Sequence, residues 1–259
     1  GGHRGRFRRD FLEEVRGRSS ACDDVPMDVS PEQFFGDLMS AFAVHADPVR
    51  AVQEQAYLKS EREFLGVTVP VARKVVAAAV KQHAVDDRVD VVAVTEVCWE
   101  HPSFDARRAA VEVLSLRHAV LLPEDLDLIE SMLRDGETWA IVDSLAAKVV
   151  GSIVRRFPGE TGPVLDRWAA DPDSFWIRRS AMLALLEDLR SGGGDWDRFC
   201  RYADSMLHEK EFFIRKAIGW ILRDTSRKRP DLVWDWVEPR LDDMSGVTKR
   251  EALKYLGGR

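Results

Sequence analysis

The chain has 259 residues, 45% of them hydrophobic, enough to bury a sizeable core in one long domain or repeat array. No apolar run reaches the roughly 18 residues of a membrane-spanning helix, and the basic N-terminus GGHRGRFRRDFLEEVRGR lacks the apolar stretch of a secretory signal. The net charge of −6 weighs against indiscriminate phosphate binding, but a basic stripe on one face can coexist with acidic outer faces. Cys22, Cys98 and Cys200 lie far apart without a CxxC, and the histidines are scattered without an HExxH. That excludes a disulfide framework and a zinc module on sequence grounds, and a cytoplasmic protein without metal or cofactor is expected. Arginine outnumbers lysine 29 to 9, a bias of GC-rich coding sequence.

Residues 1–29 read as an N-terminal extension expected to be mobile, and 30–259 as a single all-α domain. Ser30-Pro31 places a cap before a proline at the first helical position, and Phe34, Phe35, Leu38, Met39 and Phe42 follow at helical spacing. Asp47-Pro48 repeats the device. Val69-Pro70 opens a helix predicted to run to about His83. Pro102, Pro123, Pro158, Pro163, Pro172 and Pro230 punctuate the remainder. Ser191-Gly192-Gly193-Gly194 reads as a loop between two helices; it follows no strand and lacks the Gly-Lys-Ser/Thr of a phosphate-cradling loop.

An internal repeat runs through this pattern. Ser103-Phe104-Asp105-Ala106-Arg107-Arg108-Ala109-Ala110 aligns with Ser174-Phe175-Trp176-Ile177-Arg178-Arg179-Ser180-Ala181 and with Glu211-Phe212-Phe213-Ile214-Arg215-Lys216-Ala217-Ile218. A degenerate copy, Thr138-Trp139-Ala140-Ile141-Val142-Asp143-Ser144-Leu145, lies between the first two. The marks Phe104, Trp139, Phe175 and Phe212 are spaced by 35, 36 and 37 residues, close to the period of helix-pair solenoids of the HEAT type. Stacked pairs give a curved array with one concave surface. One helical turn after each mark stand Arg108, Asp143, Arg179 and Lys216, so the register predicts a concave basic stripe interrupted by one carboxylate. The competing reading is an ordinary solvated face of mixed charge.

Trp139 lies four residues before Asp143 and shares its helix face. Lys216, Trp220 and Arg223 share one side of a later helix. Tryptophans beside basic residues suit stacking and phosphate contact, although a core position is the competing reading for any tryptophan on an amphipathic helix. Trp99, Trp168, Trp196, Trp234 and Trp236 are assigned to core or inter-helix packing.

The stretch Glu211 to Arg223, EFFIRKAIGWILR, closely resembles the AlkD-like DNA alkylation repair family. So do Pro230-Asp231-Leu232-Val233-Trp234 and Lys249-Arg250-Glu251-Ala252-Leu253-Lys254. Tyr57-Leu58-Lys59 followed by Phe64-Leu65-Gly66-Val67 is similar to the family's N-terminal signature. Trp139-Ala140-Ile141-Val142-Asp143 matches its W-x-x-x-D motif, and Phe175 to Ala181 its W-x-x-R-x-A block. These blocks stand in the family's order over roughly residues 31 to 257. Thr138 replaces the second tryptophan of the usual doublet before the W-x-x-x-D motif.

The resemblance implies a HEAT-like repeat glycosylase that holds duplex DNA in a concave basic groove. Such an enzyme releases cationic N3-alkyladenine and N7-alkylguanine without flipping the lesion into a pocket. It further implies that Trp139 and Trp220 flank the damaged nucleotide and that Asp143 is the catalytic carboxylate. Arg179 and Arg223 match phosphate-facing positions, and Tyr57 an aromatic near the backbone. With Lys59, Arg108 and Lys216 these make the expected DNA-binding set. The chemistry is consistent in itself. An alkylated purine already carries positive charge, so no general acid is required, and one carboxylate about 4 Å from the developing sugar cation contributes about 4 kcal/mol at an effective dielectric near 20. Glycoside hydrolases need a carboxylate pair for a neutral leaving group. The expectation is a monomeric, monofunctional glycosylase acting at the nucleoid. Without a pocket to fill, bulky adducts can also be substrates, compatible with self-resistance to a DNA-alkylating natural product. The alternatives are a non-catalytic DNA-binding relative and a protein-interaction scaffold.

Overall fold

A computed structural model describes residues 29–257. Of the expected N-terminal extension only Val29 is among the described residues. Every regular element described is helical, and the pairing of Glu63 with Ser103 is an isolated bridge. The helices are α1 (Pro31–Val44), α2 (Pro48–Leu58), α3 (Val69–Gln82), α4 (Arg88–Glu100), α5 (Phe104–Leu116), α6 (Leu126–Arg134) and α7 (Trp139–Ser144). Then come α8 (Gly151–Arg156), α9 (Pro158–Ala169), α10 (Phe175–Leu183), α11 (Leu186–Ser191), α12 (Trp196–Met206), α13 (Phe212–Ser226), α14 (Pro230–Val237) and α15 (Gly246–Ala252). This is the all-α helical repeat architecture the period predicts.

The starts of these helices are written in the sequence. Ser30 accepts from the Gln33 amide, and Asp47 from the amides of Val49 and Arg50, each ahead of a proline in the first turn. All four repeat marks are the first residues of helices: Phe104 of α5, Trp139 of α7, Phe175 of α10 and Phe212 of α13. The preceding residues Ser103, Thr138, Ser174 and Glu211 each accept a backbone amide of the first turn. Thr138, where the related motif has a tryptophan, is therefore the N-cap of the Trp139 helix. The Ser191–Gly194 loop does connect two helices, α11 and α12, and its carbonyls accept Lys228 and Arg229.

Helices α5, α7, α10, α13 and α15 pack side by side in chain order. Ion pairs one repeat apart tie the stack together. Arg88 reaches Asp125 at 2.8 Å, Arg134 reaches Asp171 at 2.6 Å, Arg167 reaches Glu130 at 2.9 Å and Arg240 reaches Asp204 at 2.7 Å. Each joins residues 36 or 37 positions apart. The period is thus set twice, by the buried apolar faces and by charge pairing across neighbouring repeats. Trp99, Trp168 and Trp236 are buried and Trp196 and Trp234 pack against the same core, as assigned.

One interruption stands out beside the W-x-x-x-D motif. After Ser144 the chain widens into a π-helical segment, Leu145–Val150, before α8 resumes. Such segments shift the phase of the faces on either side and are frequent at functional positions. Gly151 follows it, and a Cβ there would lie 2.9 Å from the Ala184 carbonyl oxygen. Glycine is required by the close approach of two backbones. Gly151→Val is expected to lower the unfolding free energy by roughly 1–3 kcal/mol through overpacking, measured by urea denaturation. A stability equal to the parent would mean that the two segments are not in contact.

Candidate catalytic carboxylate and its aromatic flanks

Asp143 sits on α7, and Arg179 on α10 donates to both of its oxygens, Nε to Oδ1 at 2.8 Å and Nη2 to Oδ2 at 2.9 Å. The third group of the same guanidinium, Nη1, donates to the Phe213 carbonyl on α13. One side chain therefore binds the Trp139 helix on one side and the Trp220 helix on the other. The planar fork of arginine suits this bidentate grip, which a lysine could not reproduce. Arg179 is only 2% exposed.

Trp139, one helical turn before Asp143, is 38% exposed and meets Tyr57 in a T-shaped contact with ring centroids 6.2 Å apart. Tyr57 lies at the end of α2 and is 72% exposed. The two rings rim a cleft of about 410 Å³ between α2, α3, α5 and α7, lined also by Arg50, Arg73, Glu54, Phe104 and Arg108. Lys59, in the left-handed conformation that ends α2, is exposed nearby in sequence. Trp220 is partly buried and donates its indole N–H to Asp224 Oδ2 at 3.0 Å.

The expected basic stripe is not a row of free cations. Arg108 is 7% exposed and is consumed internally: it bonds the Val67 carbonyl at 2.7 Å and Glu54 at 3.2 Å, and pairs with buried Asp105. Arg108 and Arg179, expected to face phosphates, are buried ion-pair partners in the free protein, and Arg108 also lines the cleft beside Trp139. Lys216 and Arg223 share the Glu251 carboxylate, and Arg223 Nε also donates to Asp224 at 3.0 Å. The Lys216 hydrogen bond, foremost, holds the Glu251 carboxyl below its usual range. The stabilisation this gives is present above the ordinary carboxylate range and is lost as pH falls through the lowered value. Lys216 keeps a side chain 39% exposed, so it remains available to solvent.

The sequence reading named neither Arg50 nor Arg73, whose side chains open onto the cleft. Asp224 carries no expectation from the sequence, and Glu251 enters only within the block at 249–254, with no role of its own. Asp224 stands four residues after Trp220, a spacing legible in the sequence, whereas Glu251 comes from α15 and nothing local marks it. Burial pushes the thiols of Cys98 and Cys200 up to about 12, so neither is a nucleophile at neutral pH. Among the described residues no group of three or more His, Cys, Asp and Glu could hold a metal, and no helix is long and apolar enough to cross a membrane.

Arg179→Ala should act first on the fold. Removing one partner of a buried pair is expected to cost roughly 3–5 kcal/mol, read as a lowered urea midpoint. Arg179→Lys should lose less. A loss below about 1 kcal/mol would place the pair in solvent-screened surroundings.

The sequence profile of the DNA alkylation repair enzyme family matches residues 38–256. No curated protein matches the chain. Among solved structures, one described as a predicted DNA alkylation repair enzyme from Enterococcus faecalis is similar at 22% identity and a TM-score of 0.73, covering 83% of this chain and 98% of its own. AlkD2 from Streptococcus mutans is similar at 15% identity and a TM-score of 0.60, covering 88% of this chain and all of its own. A third, smu.31 from Streptococcus mutans UA159, shares 17% identity with a TM-score of 0.51 over 71% of this chain and 99% of that one. At these identities the likeness speaks for the fold.

Proposed function

From the premise that this chain belongs to the DNA alkylation repair enzyme family, we propose that it is a monofunctional glycosylase that hydrolyses the N-glycosidic bond of cationic N3- and N7-alkylated purines in duplex DNA. The observation that carries this reading is the arrangement around Asp143. A carboxylate fixed at both oxygens lies one turn from a half-exposed tryptophan, on a helix tied by the same arginine to the helix of Trp220. The proposed roles follow from chemistry. Trp139 and Trp220 present π faces to the sugar as it becomes cationic. Asp143 stabilises that cation and orients the attacking water. Because the leaving base is already charged, no acid is required, and the lesion can stay in the helix. Phosphate contacts fall to exposed cations and polar groups, Lys59 and Lys216 with Tyr57, rather than to Arg108 and Arg179.

The paired arginine changes the magnitudes. A carboxylate about 4 Å from the cation contributes about 4 kcal/mol at a dielectric near 20, and a guanidinium roughly 4 Å further back opposes it by about 2 kcal/mol. The net of about 2 kcal/mol is worth roughly thirty-fold in rate. Arg179 thus weakens the field of Asp143 while fixing its direction.

The open cleft beside Trp139 supports a substrate range that includes bulky adducts, the range a self-resistance enzyme requires. A base-release assay comparing methylated with bulky-adduct duplexes tests that extension. In the alternative reading, a repeat scaffold, Asp143 and Arg179 only join neighbouring repeats, a role their ion pair also supports. A fluorescence-anisotropy titration with duplex DNA across a salt series separates the two, since a scaffold gives no salt-dependent binding.

Asp143→Asn decides the mechanism. It removes the attractive charge and leaves the guanidinium, a change of about 4 kcal/mol, so single-turnover base release should fall by roughly three powers of ten. Duplex affinity should hold or tighten slightly, since a carboxylate repels phosphate. The melting temperature will drop as well, because the ion pair is lost. The assay is therefore run well below the variant's transition, with folding checked by circular dichroism. A destabilised variant that still releases base at the parent rate removes Asp143 from the mechanism.

A further inference from the structure

The two tryptophans are held by different means. Trp139 is braced by an aromatic ring, Trp220 by a carboxylate. The Trp220 indole N–H donates to Asp224 Oδ2 at 3.0 Å, and the other oxygen of Asp224 accepts Arg223 Nε at 3.0 Å. Arg223 Nη1 pairs in turn with Glu251, and the second oxygen of Glu251 pairs with Lys216. The chain of contacts runs from Lys216 through Glu251, Arg223 and Asp224 to the indole. Its only member outside α13 is Glu251 of α15. Gly219 allows that approach: a Cβ there would lie 2.7 Å from the Glu251 Cβ.

We infer that Asp224 is a positioning residue for Trp220, braced through Arg223 by Glu251 of the C-terminal helix. The inference rests on the glycosylase reading for its effect on rate, though not for its effect on the ring. A partly exposed tryptophan on a helix has more than one rotamer open to it. A charge-assisted hydrogen bond from the indole selects one. Arg223 then serves Trp220 through Asp224 rather than serving DNA directly, and α15 becomes part of the site without touching substrate.

The test uses Asp224→Leu, which abolishes the acceptor, and Asp224→Asn, which keeps one. The Trp220 indole N–H resonance, assigned by its loss in Trp220→Phe, is followed in a proton–nitrogen correlation spectrum of the free protein. In Asp224→Leu it should move upfield and exchange faster with water; in Asp224→Asn it should stay near the parent position. Glu251→Gln should shift it by a smaller amount. With a 7-methylguanine duplex, Asp224→Leu should lower the single-turnover rate about tenfold while the duplex Kd stays within about twofold, and Asp224→Asn should restore most of the rate. An unmoved indole resonance in folded Asp224→Leu overturns the inference, as does a moved resonance with a parent rate. If the parent protein releases no base, the glycosylase reading fails, and the spectra alone still decide whether Asp224 holds the ring. If Asp224→Leu does not fold, the Asp224→Asn and Glu251→Gln spectra decide, with no shift in the latter counting against the brace.

Discussion

A single buried guanidinium sets the geometry on which the rest depends. Taking Arg179 out of water costs several kcal/mol, and only bidentate pairing with further hydrogen bonds offsets that cost. Arg179 meets the requirement by giving two N–H groups to Asp143 and another to the Phe213 carbonyl. Its partners lie on α7 and α13, the helices that flank α10 in the stacked row, so satisfying one charge fixes three helices at once. Phe175 and Phe213 stack with parallel rings at 6.1 Å, and Trp176 packs on Phe213 at 4.8 Å, which closes the guanidinium in from the apolar side. Neighbouring repeats then cannot slide without stranding a buried charge, and that rigidity holds the carboxylate in one orientation.

The same physics neutralises the surface. Stacking by ion pairs one repeat apart spends arginines on aspartates and glutamates, so among the described residues many of the arginines are neutralised locally. On the glycosylase reading, phosphate attraction is local and confined to the rim. The interior pair of Arg179 and Asp143 contributes register between neighbouring repeats. Neutralisation by carboxylates also means that a phosphate reaching Lys216 competes with Glu251, which lowers the net gain from that contact.

Much of this was legible in the sequence, and the limits have a physical cause. The 35- to 37-residue period and the caps at Ser30 and Asp47 follow from local chemistry, whereas the caps at Ser103 and Ser174 and the helix starts at the aromatic marks emerged with the structure. The facing of the charged register positions did not follow. Arg108, Arg179 and Lys216 share one position in the repeat, yet the first two are buried and the third is half-exposed. Arg108 is closed in by Asp105 on its own helix and by Glu54 of α2, and Arg179 by Asp143 one repeat away. Lys216 keeps solvent access although Glu251 also stands one repeat away. Periodicity within a helix carries no such information. Asp143 looked like an interruption of a basic stripe and is in fact the partner that allows Arg179 to be buried. The π-helical segment after Ser144 left no compositional trace, since Leu145, Ala146 and Ala147 suit an ordinary helix equally well.

The asymmetry of the two aromatic flanks has a consequence of its own on the proposed reading. Trp139 is held by packing against an exposed tyrosine, a contact that yields easily because neither ring is anchored by a charge. Trp220 is anchored by Asp224 and cannot turn without breaking a charge-assisted bond. A duplex entering between them would meet one wall that adapts and one that does not. The rigid wall defines where the cationic sugar must sit relative to Asp143. The adaptable wall borders the open cleft, so variation in the size of the lesion is absorbed on the Trp139 and Tyr57 side. Tolerance of substrate and precision of charge placement are thereby assigned to different helices, and Arg179, bonded to both, keeps the distance between them constant.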